Sequence, residues 1–219
     1  SQNKRIGRNI IAIEGVYSMG GDLAPLEIFQ IAHKEEAILI VDEAHSFGVI
    51  GDNLLGIFDY YKIKPTSYHI KMGTLGKAYC SYGAYILASK QIIDFLTNRA
   101  KPIIYSTAPS LFDTALAHES LNYIIENKDL LKEKIKNNLT IIKNVLGLNS
   151  QSLIIPIVIG DNKKVKKIQE NLKEHGFLVG AIRQPTVKEA IIRLIAKIDI
   201  NENDLTKVCN LLKDSNVNK

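Results

Sequence analysis

The stretch at 67–83, Ser-Tyr-His-Ile-Lys-Met-Gly-Thr-Leu-Gly-Lys-Ala-Tyr-Cys-Ser-Tyr-Gly, sets a lysine at position 77 among small residues. Residues 68–72 alternate as a half-buried strand does, and Gly73 opens a run of Gly, Thr, Lys and Ser that cannot continue it. Lys77 is therefore expected just past a strand end. A partly desolvated pocket there would favour the neutral amine, a nucleophile toward carbonyls, which is the chemistry of a Schiff base. Most lysines are solvated, so the signal needs partners. They lie upstream, where the apolar run Ala37-Ile-Leu-Ile-Val41 has the pattern of a strand buried on both faces of a parallel sheet and ends in Asp42-Glu43-Ala44-His45. Open α/β sheets bind ligands at this carboxyl edge; surface charge at a strand end is the plain alternative.

A carboxylate, an imidazole and a lysine flanked by Thr74 are together what pyridoxal phosphate requires. The acid keeps a pyridine nitrogen protonated, the amine holds an aldehyde, and hydroxyls take a phosphate.

The elements that must position these groups follow from periodicity. Residues 9–13 read as a strand and 14–22 as a Gly-rich loop; Pro25 opens a helix to about residue 36. With the strand at 37–41 this is a βαβ unit, implying a parallel sheet with a right-handed crossover. A short helix at 54–61, the lysine strand, a strand at 85–88, a helix at 90–99 and a short strand around 103–104 follow. From 111 to 146 the composition turns helical, as one long helix or two. Beyond lie strands at 153–159, 177–181 and 190–196 with helices at 162–175 and 202–212, a small α+β domain. The expected division is thus 1–110 and 111–219. Arg193 stands in the apolar run Ile191-Ile-Arg-Leu-Ile-Ala196, where a guanidinium wants a bidentate anion unless it sits on an edge strand facing water.

The 219 residues, 46% hydrophobic, suffice for a substantial core in one or two domains. The net charge of +5 comes from scattered lysines with no basic motif interleaved with aromatics, a solvated surface and not a nucleic-acid face. Two cysteines, Cys80 and Cys209, make no disulfide framework and no Cys-x-x-Cys pair; a cytoplasmic protein without a metal site is expected. The longest apolar stretch, 153–159, contains Pro156 and falls far short of the roughly 20 residues of a membrane span. Residues 1–5 are polar and show no signal-peptide core. A phosphate-binding P-loop is disfavoured, since Ala78 follows Gly76-Lys77 where Ser or Thr is needed.

Three stretches in this order and spacing, Glu14-Gly-Val-Tyr-Ser-Met-Gly-Gly-Asp22, Val41-Asp-Glu-Ala-His-Ser-Phe-Gly-Val-Ile-Gly51 and Gly73-Thr-Leu-Gly-Lys77, resemble the α-oxoamine synthase family of pyridoxal-phosphate enzymes, with similarity from about residue 9 to about residue 212. Ile104-Tyr-Ser-Thr107, Ile159-Gly-Asp-Asn162 and Ala181-Ile-Arg-Gln-Pro-Thr-Val187 are most similar to the branch that condenses L-alanine with a pimeloyl thioester, on CoA or an acyl-carrier protein, in biotin synthesis. The resemblance implies a fold-type I transferase of α/β class: 1–110 as the second part of a large, mainly parallel sheet domain, 111–219 as a long helix and small C-terminal α+β domain. It also implies that this is the C-terminal portion of a longer enzyme, whose preceding section supplies further strands, a glycine-containing phosphate loop and a group stacking on the cofactor ring.

By the same resemblance, Lys77 bonds the cofactor aldehyde and later serves as base, Asp42 faces the pyridine nitrogen, and His45 and Ser18 bond the phenolic oxygen. Thr74 takes the phosphate, and Ser106 and Thr107 reach the cofactor phosphate of a neighbouring subunit, implying a homodimer with shared sites. Arg193 takes the amino acid's carboxylate and Thr186 contacts substrate. Ala108-Pro109-Ser110 departs from the family's usual proline placement, and Ile198-Asp-Ile200 stands where a histidine is common. A glycine-using sister enzyme, glycine C-acetyltransferase or 5-aminolevulinate synthase, would share every cofactor residue. A non-catalytic truncated subunit would keep the fold without the chemistry.

Overall fold

Apolar β-branched runs and the loops that bound them decide the elements. The computed structural model describes residues 7–217, so the polar opening read at 1–5 lies outside it. The described chain forms two compact units, one running to Val16 and again over Leu23–Lys128, the other made of Tyr17–Asp22 and the chain from Asp129 onward. The division comes at 128/129, later than the turn to helical composition at 111.

In the first unit β1 (Ile10–Glu14), α1 (Leu26–Lys34) and β2 (Ile38–Asp42) form the expected βαβ unit. After α2 (Ile57–Tyr60), β3 (His69–Thr74) joins β2 in parallel. The register sets Glu14 opposite Asp42 and Asp42 opposite Met72. β4 (Ala84–Leu87) returns antiparallel on β3, because the connection at 75–83 is shorter than the roughly dozen residues a parallel crossover needs. The sheet is mixed, in the order β1-β2-β3-β4. α3 (Lys90–Arg99), α4 (Lys101–Ile104) and α5 (Leu111–Glu126) complete the unit. Ile103 and Ile104, expected in a short strand, are helical instead: Pro102 supplies a first-turn φ, and both their N–H groups donate to Ala100 O.

On β2, Leu39 and Val41 are inaccessible while Ile38, Ile40 and Asp42 are half-buried, so the strand is sealed on one face and partly open on the other. Ile10, opposite Ile38, is 63% exposed, which corrects the expectation of strands buried on both faces. Phe29 of α1 and Phe58 of α2 are buried, edge to face at 5.5 Å.

The loop from β2 to α2 is organised around Glu43, which is 0% exposed. Strand alternation turns Asp42 and Glu43 to opposite sides. The Glu43 carboxylate accepts from Ile57 N at 2.9 and 3.2 Å and from the Ser46 hydroxyl, and pairs with Lys71 Nζ at 3.3 Å. Lys71 also donates to Leu55 O at 2.8 Å. Gly56 enters α2 at φ +94°, and a Cβ there would run into this carboxylate, so the turn needs glycine for both backbone and space.

The second unit comprises α6 (Lys128–Leu146, its first residue in the other unit), β5 (Ile154–Gly160), α7 (Asn162–Glu174), β6 (Gly180–Ile182), β7 (Ala190–Ile195) and α8 (Glu202–Val217). Its antiparallel sheet runs β5-β7-β6. Pro156 is tolerated because β5 is an edge. Ile142, Ile155, Leu172, Ile192, Leu205 and Cys209 anchor one apolar core between the sheet and the helices. Asp161 starts α7 by accepting from Lys163 N and Lys164 N at 2.9 and 2.6 Å. The segment Tyr17–Asp22 is tied to this unit, with Ser152 Oγ donating to Gly21 O at 2.7 Å.

Glu43→Ala leaves the half-buried Lys71 ammonium without its counter-ion and the Ile57 N–H without its acceptor, and is expected to destabilise the protein by about 2–4 kcal/mol in denaturant unfolding, with Glu43→Gln costing less. Burial pushes the Cys209 thiol up to about 11 from its ordinary 9.0. Between those values the unfolded chain releases this proton while the folded chain keeps it, so stability falls as pH rises through the window and is unaffected below it. Unfolding midpoints of Cys209→Ala should decline less steeply than wild type over the same range.

Candidate functional site

Asp42 ends β2 half-buried, and its Oδ1 accepts from Ala44 N at 2.8 Å, an Asx turn that fixes the carboxylate at the sheet's carboxyl edge. The backbone ladder continues past it, with Gly15 N donating to Asp42 O at 2.7 Å and Glu43 N to Met72 O at 2.8 Å. His45, half-buried, rides the turn that Ser46 N and Phe47 N close onto Glu43 O.

Lys77 sits in the connection from β3 to β4, on the same edge of the neighbouring strand. Its turn is closed by Leu75 N to Gly83 O at 2.8 Å, Ser81 N to Leu75 O at 2.9 Å and Cys80 N to Lys77 O at 3.0 Å. The Thr74 hydroxyl is engaged in this turn, donating to Gly83 O and accepting from Gly76 N, each at 3.3 Å. Lys77 itself is exposed, so among the described residues the partly desolvated pocket expected for it is not formed. Its turn abuts the His45 loop: Phe47 and Tyr79 stack with centroids 4.3 Å apart and planes 5° from parallel.

Arg193 lies on β7, the central strand of the second unit's sheet, which removes the edge-strand alternative. Its Nε donates to Ser18 O at 2.6 Å, so two of the expected residues share a hydrogen bond there. The guanidinium is half-buried, and burial lowers its pKa. No carboxylate among the described residues pairs with it, which leaves the fork able to take an anion. Thr186 is exposed in the turn before β7, its N–H donating to Arg183 O. Ser106 and Thr107 are exposed beyond α4, and Ser106 Oγ donates to Ile103 O at 3.0 Å.

The structure thus gathers Asp42, His45, Thr74 and Lys77 on one edge of the first unit and Ser18 with Arg193 in the second, and leaves Ser106, Thr107 and Thr186 on exposed loops. Sequence reasoning assigned nothing to Glu43, Lys71, Phe47 or Tyr79. Strand parity could have found Glu43, since a residue next to an edge-facing acid points inward. The aromatic pair has no local signal.

Residues 1–212 match the family model described as aminotransferase class I and II. The chain is 45% identical over 205 residues to an 8-amino-7-oxononanoate synthase of Helicobacter pylori, covering 93% of this chain and 55% of that protein. It spans about half the length of the curated relatives it matches. A solved 8-amino-7-oxononanoate synthase from Francisella tularensis superposes with a TM-score of 0.82 at 25% identity, covering 95% of this chain and 63% of that one. Sphingomonas wittichii serine palmitoyltransferase shares the fold at a TM-score of 0.86 and 21% identity, over 95% of this chain and 54% of that one. By motif, fold and sequence match together, the chain belongs to the aminotransferase class I and II family, with the fold-type I architecture of its pyridoxal-phosphate-dependent transferases.

Proposed function

We propose that this chain carries the reactive groups of a pyridoxal phosphate enzyme, an 8-amino-7-oxononanoate synthase. It condenses L-alanine with a pimeloyl thioester, on CoA or an acyl-carrier protein, releasing carbon dioxide and the thiol in biotin synthesis. The observation that carries this reading is the arrival of Asp42, His45 and the Lys77 turn at one edge of two adjacent parallel strands. The 45% identity to the Helicobacter pylori synthase supports the alanine and pimeloyl assignment over the glycine-using enzymes.

The donor set suits a phosphorylated pyridine aldehyde: one acid, one imidazole, one primary amine and hydroxyls. Asp42, its carboxylate held by Ala44 N–H, would face the ring nitrogen and favour its protonated form. His45 and Ser18 would bond the ring oxygen. Lys77 would hold the aldehyde group through its amine, and the same amine is the group able to take the α-proton of alanine. When bound, the cofactor supplies an electron-accepting ring that delocalises the charge left on the α-carbon. Arg193 fixes the alanine carboxylate, and Thr186 contacts substrate from the turn before β7. Thr74 takes the phosphate, joined by Ser106 and Thr107 of a second copy.

Homodimerisation is supported by the wholly exposed segment at 101–112, which carries Ile103, Ile104, Tyr105, Leu111 and Phe112, apolar surface of the kind subunit interfaces bury. No helix of the described residues is long and apolar enough to cross a membrane. The exposure of Lys77 favours a second reading, a chain that keeps the fold without binding the cofactor by itself.

Adding pyridoxal phosphate separates the two readings: a visible absorbance band is expected from the wild-type protein and none from Lys77→Ala, and a band unchanged by the substitution refutes the lysine assignment. Arg193→Lys, which trades a planar fork for a point charge, should raise the KM for alanine by roughly 10–100-fold with a smaller change in kcat. Steady-state assays with alanine, glycine and serine check this and the amino-acid preference together.

A further inference from the structure

Lys77 and the Asp42–His45 pair sit on separate loops, and their relative placement depends on what lies between those loops. Phe47 is two residues beyond His45 and Tyr79 two beyond Lys77; they are 6% and 7% exposed, with their rings stacked. One position along, the backbones abut: a Cβ on Gly48, whose φ is +75°, would stand 2.7 Å from Ala78 Cβ. Tyr79 is fixed from its other end as well, its hydroxyl donating to Tyr85 Oη at 3.4 Å. Tyr85 stands on β4 opposite Gly73, and a Cβ on Gly73 would lie 2.5 Å from the Tyr85 hydroxyl, so the glycine leaves the space this ring uses. Burial pushes the Tyr79 phenol well above its ordinary range, which keeps it a neutral donor.

The Lys77 turn is otherwise held by hydrogen bonds, those of its own backbone and Thr74 and one from Ser81 Oγ to Asp113 O at 2.6 Å, and Tyr79 is the one buried side chain of residues 75–83. Gly76, Lys77 and Cys80 are exposed, and Cys80 has φ +52°. An exposed turn of this kind opens locally at small free-energy cost unless a buried side chain ties it down. Tyr79 is the buried residue in the middle of that exposed run.

We propose that Tyr79 is a positioning residue for Lys77: stacked on Phe47 and hydrogen-bonded to Tyr85, it locks the lysine turn to the Asp42–His45 loop so that amine, acid and imidazole are held as one body. This rests on the reading that those three groups serve one cofactor. The ring, not the hydroxyl, carries most of the effect, because the stack joins the two loops whereas the hydroxyl contact reaches only β4.

The test compares Tyr79→Phe, Tyr79→Leu and Phe47→Leu in the full-length protein by amide hydrogen exchange at 75–81 without cofactor, and by the pH midpoint of the visible band with pyridoxal phosphate bound. Tyr79→Phe should exchange within about two-fold of wild type. Tyr79→Leu and Phe47→Leu should each exchange about ten-fold faster at 75–81, leave α6–α8 amides unchanged, and move the spectral midpoint by roughly half a pH unit. Wild-type exchange at 75–81 in both leucine variants overturns the proposal. So does loss of the cooperative thermal transition in either one, which would make the rings general core. A wild-type protein with no visible band overturns the cofactor reading instead, and the exchange comparison then decides the stack by itself.

Discussion

A carboxylate sealed from water must be met by donors, and at position 43 that requirement shapes the edge of the sheet. Glu43 is fully buried, and its partners come from three places: the turn it begins, the first residue of α2 and a lysine on β3. Those bonds tie down the loop at 43–57 from beneath. Asp42 immediately precedes this anchor and His45 sits within it. The face of the loop that carries Asp42 and His45 is thus ordered by an ion pair on its opposite side. Burying such a pair is costly in itself, and replacement by apolar side chains would often be as stable. What it adds here is geometry: a carboxylate accepting from Ile57 N–H and Ser46 at once permits one loop path.

The two units hold different groups. The first brings an acid, an imidazole and an amine to one sheet edge, using parallel pairing to align the ends of β2 and β3. The second offers a cation on a central strand, hydrogen-bonded to the carbonyl of Ser18 in a segment that precedes most of the first unit in the chain. The chain therefore leaves the second unit at Asp22 and returns to it only at Asp129, which places Ser18 and Arg193 together across most of the sequence.

Much of this was legible in the residues. The βαβ start, the strand ending in Asp42 and the strand before Lys77 follow from period-two and period-3.6 patterns and from where Gly and Pro interrupt them. Motifs rich in Gly with a single Lys or an Asp–His pair are local signals, so the strand ends that carry Asp42, His45 and Lys77 could be placed in advance. The strand expected at 103–104 failed because two isoleucines carry β propensity, yet a proline in the preceding position favours a first helical turn. The pocket expected around Lys77 is a matter of surrounding surface, which no local pattern encodes. The small strand β6 came three residues later than its apolar run began, because pairing with β7 sets its limits.

By itself the sequence determined the element types, the parallel pairing through βαβ spacing, and the residue identities able to do carbonyl chemistry, since each depends on neighbours within a few positions. Only the tertiary structure decided that Glu43 meets Lys71, that Tyr79 reaches Phe47 across two loops, and that Arg193 lies mid-sheet beside Ser18. Those are contacts between distant parts of the chain. Their existence depends on how faces pack, and a one-dimensional pattern records which residues are apolar or charged without recording which of them meet.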